Sequence, residues 1–265
     1  MRGEPMNEIT SQTIELYSKL LKVPTFKQYE GIVRQLGTDA GYGEFLAELM
    51  KQEYEARQDG ARKRAIKAAR FPYIKTFAEL DLRRIENVED SYLKELATCE
   101  FVKERSNIVL IGNPGTGKTH LSVALGINAC NLGMKVRFFT AANLANSLIE
   151  AQDNRALMKL EKQLASADLL IIDELSYLTF NLHQSELLFK VISDRAERQS
   201  VIVSTNLSFS EWTTMFENTT MVAALVGRLT YKSHVLNMNS EHPYREEFAA
   251  TGRKLKGGRK GNFQY

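Results

Sequence analysis

Gly112-Asn113-Pro114-Gly115-Thr116-Gly117-Lys118-Thr119 follows the apolar run Asn107–Ile111 and precedes His120-Leu121-Ser122-Val123-Ala124-Leu125. The order is strand, glycine-laced turn, helix. Glycines at 112, 115 and 117 let the backbone curl so that successive N–H groups point inward at anionic oxygens. The helix that follows aims its positive N-terminal end at the same anion. Lys118 adds a point charge for the terminal phosphates, and the Thr119 hydroxyl is a magnesium ligand. The spacing therefore predicts that residues 112–120, His120 included, cradle ATP with Mg2+.

Reading outward, apolar runs of strand length recur at Ile108–Ile111, Val136–Thr140, Leu169–Asp173, Val201–Thr205 and His234–Met238, with helix-length segments between them. Runs rich in Val and Ile with little polar alternation suit strands buried on both faces, so an α/β fold with a five-stranded parallel sheet is expected. His183–Gln199 reads as one covering helix, with Leu187, Leu188, Val191 and Ile192 on one face, and Thr219–Leu229 as another. Leu144–Ala167 is long enough for two helices, and Arg155, Lys159 and Lys162 fall at i, i+4, i+7 on the second. Residues 1–70 read as a small helical N-terminal domain ending in a basic linker helix, residues 71–250 as the main domain and 251–265 as a basic tail. Within the first, Gly37, Gly41 and Gly43 break the helices, and Phe45, Leu46, Leu49 and Met50 form one apolar stripe over Glu44–Arg57. A connector runs from Phe71-Pro72-Tyr73 to Lys94, since Pro72 blocks helix continuation.

Leu169–Asp173 ends in two acids, Asp173-Glu174. In a parallel sheet that end opens onto the ligand crevice. Asp173 there can hold Mg2+, and Glu174 can orient or deprotonate an attacking water. The plainer alternative is that Glu174 caps the next segment. Asn206, after Val201–Thr205, reaches the same crevice and can bond the γ-phosphate or the water; it can equally be a turn residue. Arg228, at a helix end beyond the last phosphate contact, is positioned for a nucleotide held by a neighbouring copy, although most arginines serve only the surface. Arg245 is a weaker candidate for the same task.

Composition limits the remaining choices. The chain has 265 residues, a net charge of +3 and 2 cysteines, Cys99 and Cys130, too far apart for a metal pair. No apolar stretch reaches membrane-spanning length and no signal segment opens the chain, so a cytoplasmic, reducing location and no membrane partner are expected. Six positive residues lie between Arg57 and Arg70 and five between Arg253 and Lys260. Such segments either neutralise nucleic-acid phosphates or are solvated surface.

Several segments together resemble the IstB family, the ATPase helpers of transposition in bacterial insertion sequences, within the initiator and helicase-loader branch of the AAA+ ATPases. They are Ala69–Phe77, Gly112–Leu121, Thr140–Leu144, Ile171–Leu175, Ser204–Trp212 and Glu241–Arg245, and the likeness runs from about residue 45 to about 248. The resemblance implies an AAA+ core, ATP hydrolysis, ATP-dependent assembly into a homo-oligomer, binding of duplex DNA and a partnership with a transposase. Lys118, Thr119, Asp173, Glu174 and Asn206 inherit the nucleotide roles and Arg228 the arginine finger, although Gly227 stands where the family usually has an acid. Phe77 matches the place where relatives hold adenine. The basic face of Arg155, Lys159 and Lys162 falls where the initiator branch carries an extra helix, which implies a grip on DNA in the assembled form; a solvated face is the alternative. A loader of the replicative helicase and a small-molecule phosphotransferase are the competing functions. The latter would need an acceptor pocket and a basic lid that nothing in the sequence supplies.

Overall fold

The computed structural model describes residues 8–37, 40–82, 85, 87–175, 180–216 and 218–239. The chain divides into two compact units, residues 1–64 and 65–265. In the first, helices α1 (Glu8–Leu20), α2 (Tyr29–Leu36) and the beginning of α3 (Tyr42–Ala69) enclose a small core of Tyr29, Ile32 and Leu49, joined by Ile14, Phe26, Leu36 and Phe45. The expected apolar stripe splits: Phe45 and Leu49 pack inward, while Leu46 and Met50 stay exposed. Four neighbours on a helix span more arc than so small a core can cover. Gly43 does not break a helix but sits in the first turn of α3. Of the six basic residues after position 56, Arg57 pairs with Glu53 at 2.7 Å and Arg62 with Asp59 at 3.1 Å.

Helix α3 ends where Arg70 turns left-handed (φ 61°), just before Phe71-Pro72. The connector then makes a short 3-10 turn, Phe77–Glu79, and is shorter than expected, because α4 (Asp90–Ala97) already includes Lys94. A single-turn helix α5 (Glu100–Lys103) leads into the sheet.

Five strands, β1 (Asn107–Ile111), β2 (Val136–Thr140), β3 (Leu169–Asp173), β4 (Ser200–Thr205) and β5 (Ser233–Asn237), form one sheet in the order β2-β3-β4-β1-β5. Every pairing is parallel, as the apolar runs predicted. The central strands β3 and β4 are buried along their whole length, and the edge strand β5 is largely not. Helix α6 (Lys118–Asn131) follows β1 and covers one face with α4 and α5, packing Leu121 and Leu125 on Ile108, Leu110, Ile171 and Ile202. Helices α7 (Ala141–Asp153), α8 (Leu157–Ala165), α9 (Leu182–Ala196) and α10 (Thr219–Tyr231) serve the other face, over Leu170, Ile172, Val201 and Val203. The chain runs one way across the sheet from β2 through β4 to β5 and the other way from β1 to β2. Right-handed crossovers therefore place α6 opposite the rest. This brings the C-terminal ends of β1, β4 and β3 side by side on one edge.

Candidate functional site

The turn after β1 is built as its sequence requires. Gly115 and Gly117 adopt φ of 85° and 90°, and Gly117 caps α6, whose first residues are Lys118 and Thr119. Gly112 is needed for a different reason: a Cβ there would lie 2.8 Å from the backbone carbon of Met238. The Gly112 amide donates to the Thr205 carbonyl (3.2 Å) and the Asn113 amide to Asn239 Oδ1 (2.9 Å). Asn239 is itself held by Asn87, whose side-chain amide donates to its carbonyl at 2.6 Å. Lys118 is buried and donates from Nζ to the carbonyls of Gly112 (2.5 Å) and Asn113 (2.7 Å), while Thr116 bonds the Asn113 carbonyl at 2.9 Å. The loop is thus pinned from β4, from the end of β5 and from within. The first-turn amides of α6 have no intrahelical acceptors.

Strand β4 lies between β1 and β3, so Asn206 falls between the loop and the two acids. Asp173 is 2% exposed, and Ser204 Oγ donates to its carboxylate. Among the described residues that is its one donor, whereas an ionised carboxylate has room for about four. Glu174 is exposed and turns left-handed (φ 59°), with its amide donating to the same Ser204 Oγ at 3.0 Å. The donor set suits magnesium: the Thr119 hydroxyl and the Asp173 carboxylate are hard oxygens, with acceptor capacity left on the second.

His120, in the first turn of α6, meets the connector that carries Phe77. His120 Nε2 lies 3.3 Å from the Thr76 carbonyl, and burial holds its pKa below the usual histidine value. Thr76 and Glu79 form a reciprocal cap, whose hydrogen bonds hold the Glu79 carboxyl below the usual range. Phe77, half-buried, packs against the core that contains α6.

Arg228 lies at the other end of the sheet. Its neighbour Leu229 gives its carbonyl to Asn107, the first residue of β1, at 3.3 Å. The Arg228 guanidinium donates from Nε to Glu197 Oε1 (2.9 Å) and sits 5.6 Å over the Phe189 ring. Beyond its own helix, no described atom stands within 4 Å of where a Cβ at Gly227 would lie.

Arg155, Lys159 and Lys162 do come together, lining a shallow concavity of about 520 Å3 with Met158 and Gln163. Arg155, however, is not on the helix face the spacing predicted. It takes φ 55° in the break between α7 and α8, leaving Lys159 and Lys162 on α8 itself. The two expected helices are present, but the second begins after Arg155, at Leu157, because the left-handed turn precedes it. Arg245 and the basic tail 253–260 lie outside the described residues.

Three participants escaped the sequence: Ser204, Asn239 and Glu197 touch the candidate residues only through tertiary contacts. The segment Ser208–Trp212 has a packing task. Ser208 and Glu211 cap a 3-10 turn, and Trp212 is fully buried against Phe209.

Comparison with known proteins places this geometry. Residues 25–249 match the family described as IstB-like ATP binding protein. The ATP-binding protein of insertion sequence IS21 from Pseudomonas aeruginosa is 34% identical over 77% of this chain and 77% of its own length. That of insertion sequence IS5376 from Geobacillus stearothermophilus is 34% identical over 76% of this chain and 80% of its own. Among solved structures, AMPPCP-bound DnaA from Aquifex aeolicus superposes with a TM-score of 0.56 at 19% identity, over 74% of this chain and 58% of that one. The DnaC helicase loader superposes with a TM-score of 0.50 at 21% identity, over 66% and 98%. These two likenesses concern the fold, which is that of the AAA+ P-loop proteins. Loop, acids and sequence kinship converge: the chain belongs to the family of IstB-like ATP binding proteins and is a P-loop ATPase.

Proposed function

We propose that the chain is an ATP-dependent DNA-binding protein of an insertion sequence, which assembles on duplex DNA and directs or stimulates the transposase of its element. The observation that carries the nucleotide chemistry is the shared edge of the sheet, where the phosphate loop, Asn206 and the acids Asp173 and Glu174 meet.

In this reading Lys118 exchanges its loop carbonyls for the terminal phosphates of ATP, and the amides of residues 115–119 hold the remaining charge. Thr119 and Asp173 would hold Mg2+, which when bound would neutralise charge on the phosphates. Glu174, exposed to the crevice, orients the water and accepts its proton as the oxygen attacks the γ-phosphorus and the bond to ADP breaks. Asn206 fixes the water or the γ-phosphate from between them.

Arg228 gives the assembly its direction. A strand of five residues separates it from the loop of its own chain, a span of about 15 Å. It therefore serves the nucleotide of a neighbouring copy, and copies stack head to tail, the arrangement that yields rings or filaments. Arg155, Lys159 and Lys162 then repeat along the assembly and grip DNA phosphates. The insertion-sequence kinship of the relatives supports the transposase as partner.

Sedimentation with and without ATP and duplex DNA tests this. Large species are expected only with ATP, and larger ones with DNA; a monomer under all four conditions overturns the reading. A pull-down against the element's transposase and a replicative helicase checks the partner, with retention of the transposase expected.

A further inference from the structure

Asp173 and Glu174 are consecutive, yet each must do a different task, one toward a cation and one toward a water. In an extended strand they would point to opposite faces. Here the chain leaves the strand at Glu174 by a left-handed turn, φ 59°, a conformation that a non-glycine side chain rarely adopts without support. The support comes from β4. Ser204 Oγ accepts the Glu174 amide at 3.0 Å and donates to Asp173 Oδ1. The Ser204 carbonyl accepts the Leu175 amide at 2.9 Å, and Thr205 Oγ1 donates to the Leu175 carbonyl at 2.9 Å. Three successive residues are thus held by two.

The direction of these bonds follows from chemistry alone. An amide can only donate, so the serine oxygen must accept from Glu174; its single proton is then committed to the carboxylate. Ser204 is 1% exposed, so water does not replace either bond readily. Removing the hydroxyl leaves one donor and one acceptor unpaired on both acids at once.

We propose that Ser204 is a positioning residue for ATP hydrolysis: its hydroxyl fixes the turn that aims the Glu174 carboxylate and orients Asp173 beside it. The proposal rests on the nucleotide roles assigned above. It extends them to a buried residue on the strand beside the two acids.

The test compares S204A, S204T, E174Q and the double variant S204A/E174Q in the full chain. ATP affinity is measured by calorimetry, and turnover is counted per nucleotide-binding site. S204A is expected to bind ATP within about twofold of the parent and to turn over about 10- to 100-fold more slowly, the usual scale for a displaced reacting group. S204T keeps the hydroxyl and should recover most of the rate. Adding S204A to E174Q should slow the residual turnover far less than S204A slows the parent, since the serine acts mainly through the glutamate. Parental turnover per site in S204A, or S204T as slow as S204A, overturns the proposal. So does a fall in S204A that only tracks lost binding sites, which marks a structural role alone. Normal turnover in E174Q would instead overturn the assignment of Glu174 itself, a separate failure.

Discussion

Arg228 donates from Nε to Glu197 Oε1 at 2.9 Å, so the guanidinium is held ready by α10 and the end of α9 at the edge of the sheet remote from the phosphate loop. The acid expected at position 227 is absent, and Glu197, thirty-one positions from Arg228 in the sequence, supplies the contact. Arg228→Ala should leave ATP affinity of the single chain unchanged and lower hydrolysis by the assembled form about 10³-fold, the low end for a transition-state arginine. Mixing it with Glu174→Gln should restore part of the rate, because some interfaces then combine an intact glutamate with an intact arginine. A mixture no faster than its components would rule out action between copies.

Lys118→Ala removes the charge that the loop carbonyls of Gly112 and Asn113 now hold. A charged hydrogen bond contributes about 2–3 kcal/mol, so ATP should bind about 30- to 150-fold more weakly in a calorimetric titration. ATP-dependent assembly should disappear with it.

Glu174 stands in a left-handed conformation that glycine adopts freely. Glu174→Gly should therefore raise the thermal midpoint by about 2–4 °C, corresponding to about 1 kcal/mol, while abolishing hydrolysis. Glu174→Gln should keep ATP and stop turnover without that gain. A lower midpoint for the glycine variant would show that the backbone there is unstrained.

Lys159 and Lys162 line one concavity with Arg155 although only the lysines share a helix. Replacing both lysines by Gln should weaken duplex binding for all sequences alike. The salt slope should fall by about 1 for each phosphate no longer neutralised. A titration series at several ionic strengths reads this directly, and an unchanged slope excludes the face.

Cys99 and Cys130 are both free and fully buried, and burial pushes their thiols up to about 11 and about 12. Thiolate is the reactive form, so a thiol reagent at pH 8 should label neither in the native protein and both after unfolding. A folded pKa above the ordinary 9.0 contributes stability below that value, lost as pH rises toward 12. Chemical denaturation at pH 8 and pH 11 should show that decline.

The strands were legible because burial on both faces leaves a local mark: Leu169–Ile172 and Val201–Val203 are apolar without alternation, and both lie in central strands. The phosphate loop was legible because its chemistry is contiguous. What local reading missed is what strand register creates. Ser204 meets Asp173 and Glu174 because β3 and β4 pair Ile172 with Val203, which places the next residues abreast. Nothing near Ser204 in the sequence announces that. The same holds for Glu197, and for Arg155, whose left-handed turn has no glycine to betray it. Leu46 and Met50 erred the other way: their spacing was helical, but the core beside them was too small to take them in.

Asn239 carries a practical consequence. The amide that opens the phosphate-binding turn hangs on a side chain just past the last strand, and Asn87 holds that same residue in place. Asn239→Ala would therefore free the Asn113 amide of the nucleotide cradle without altering a single residue of the cradle itself.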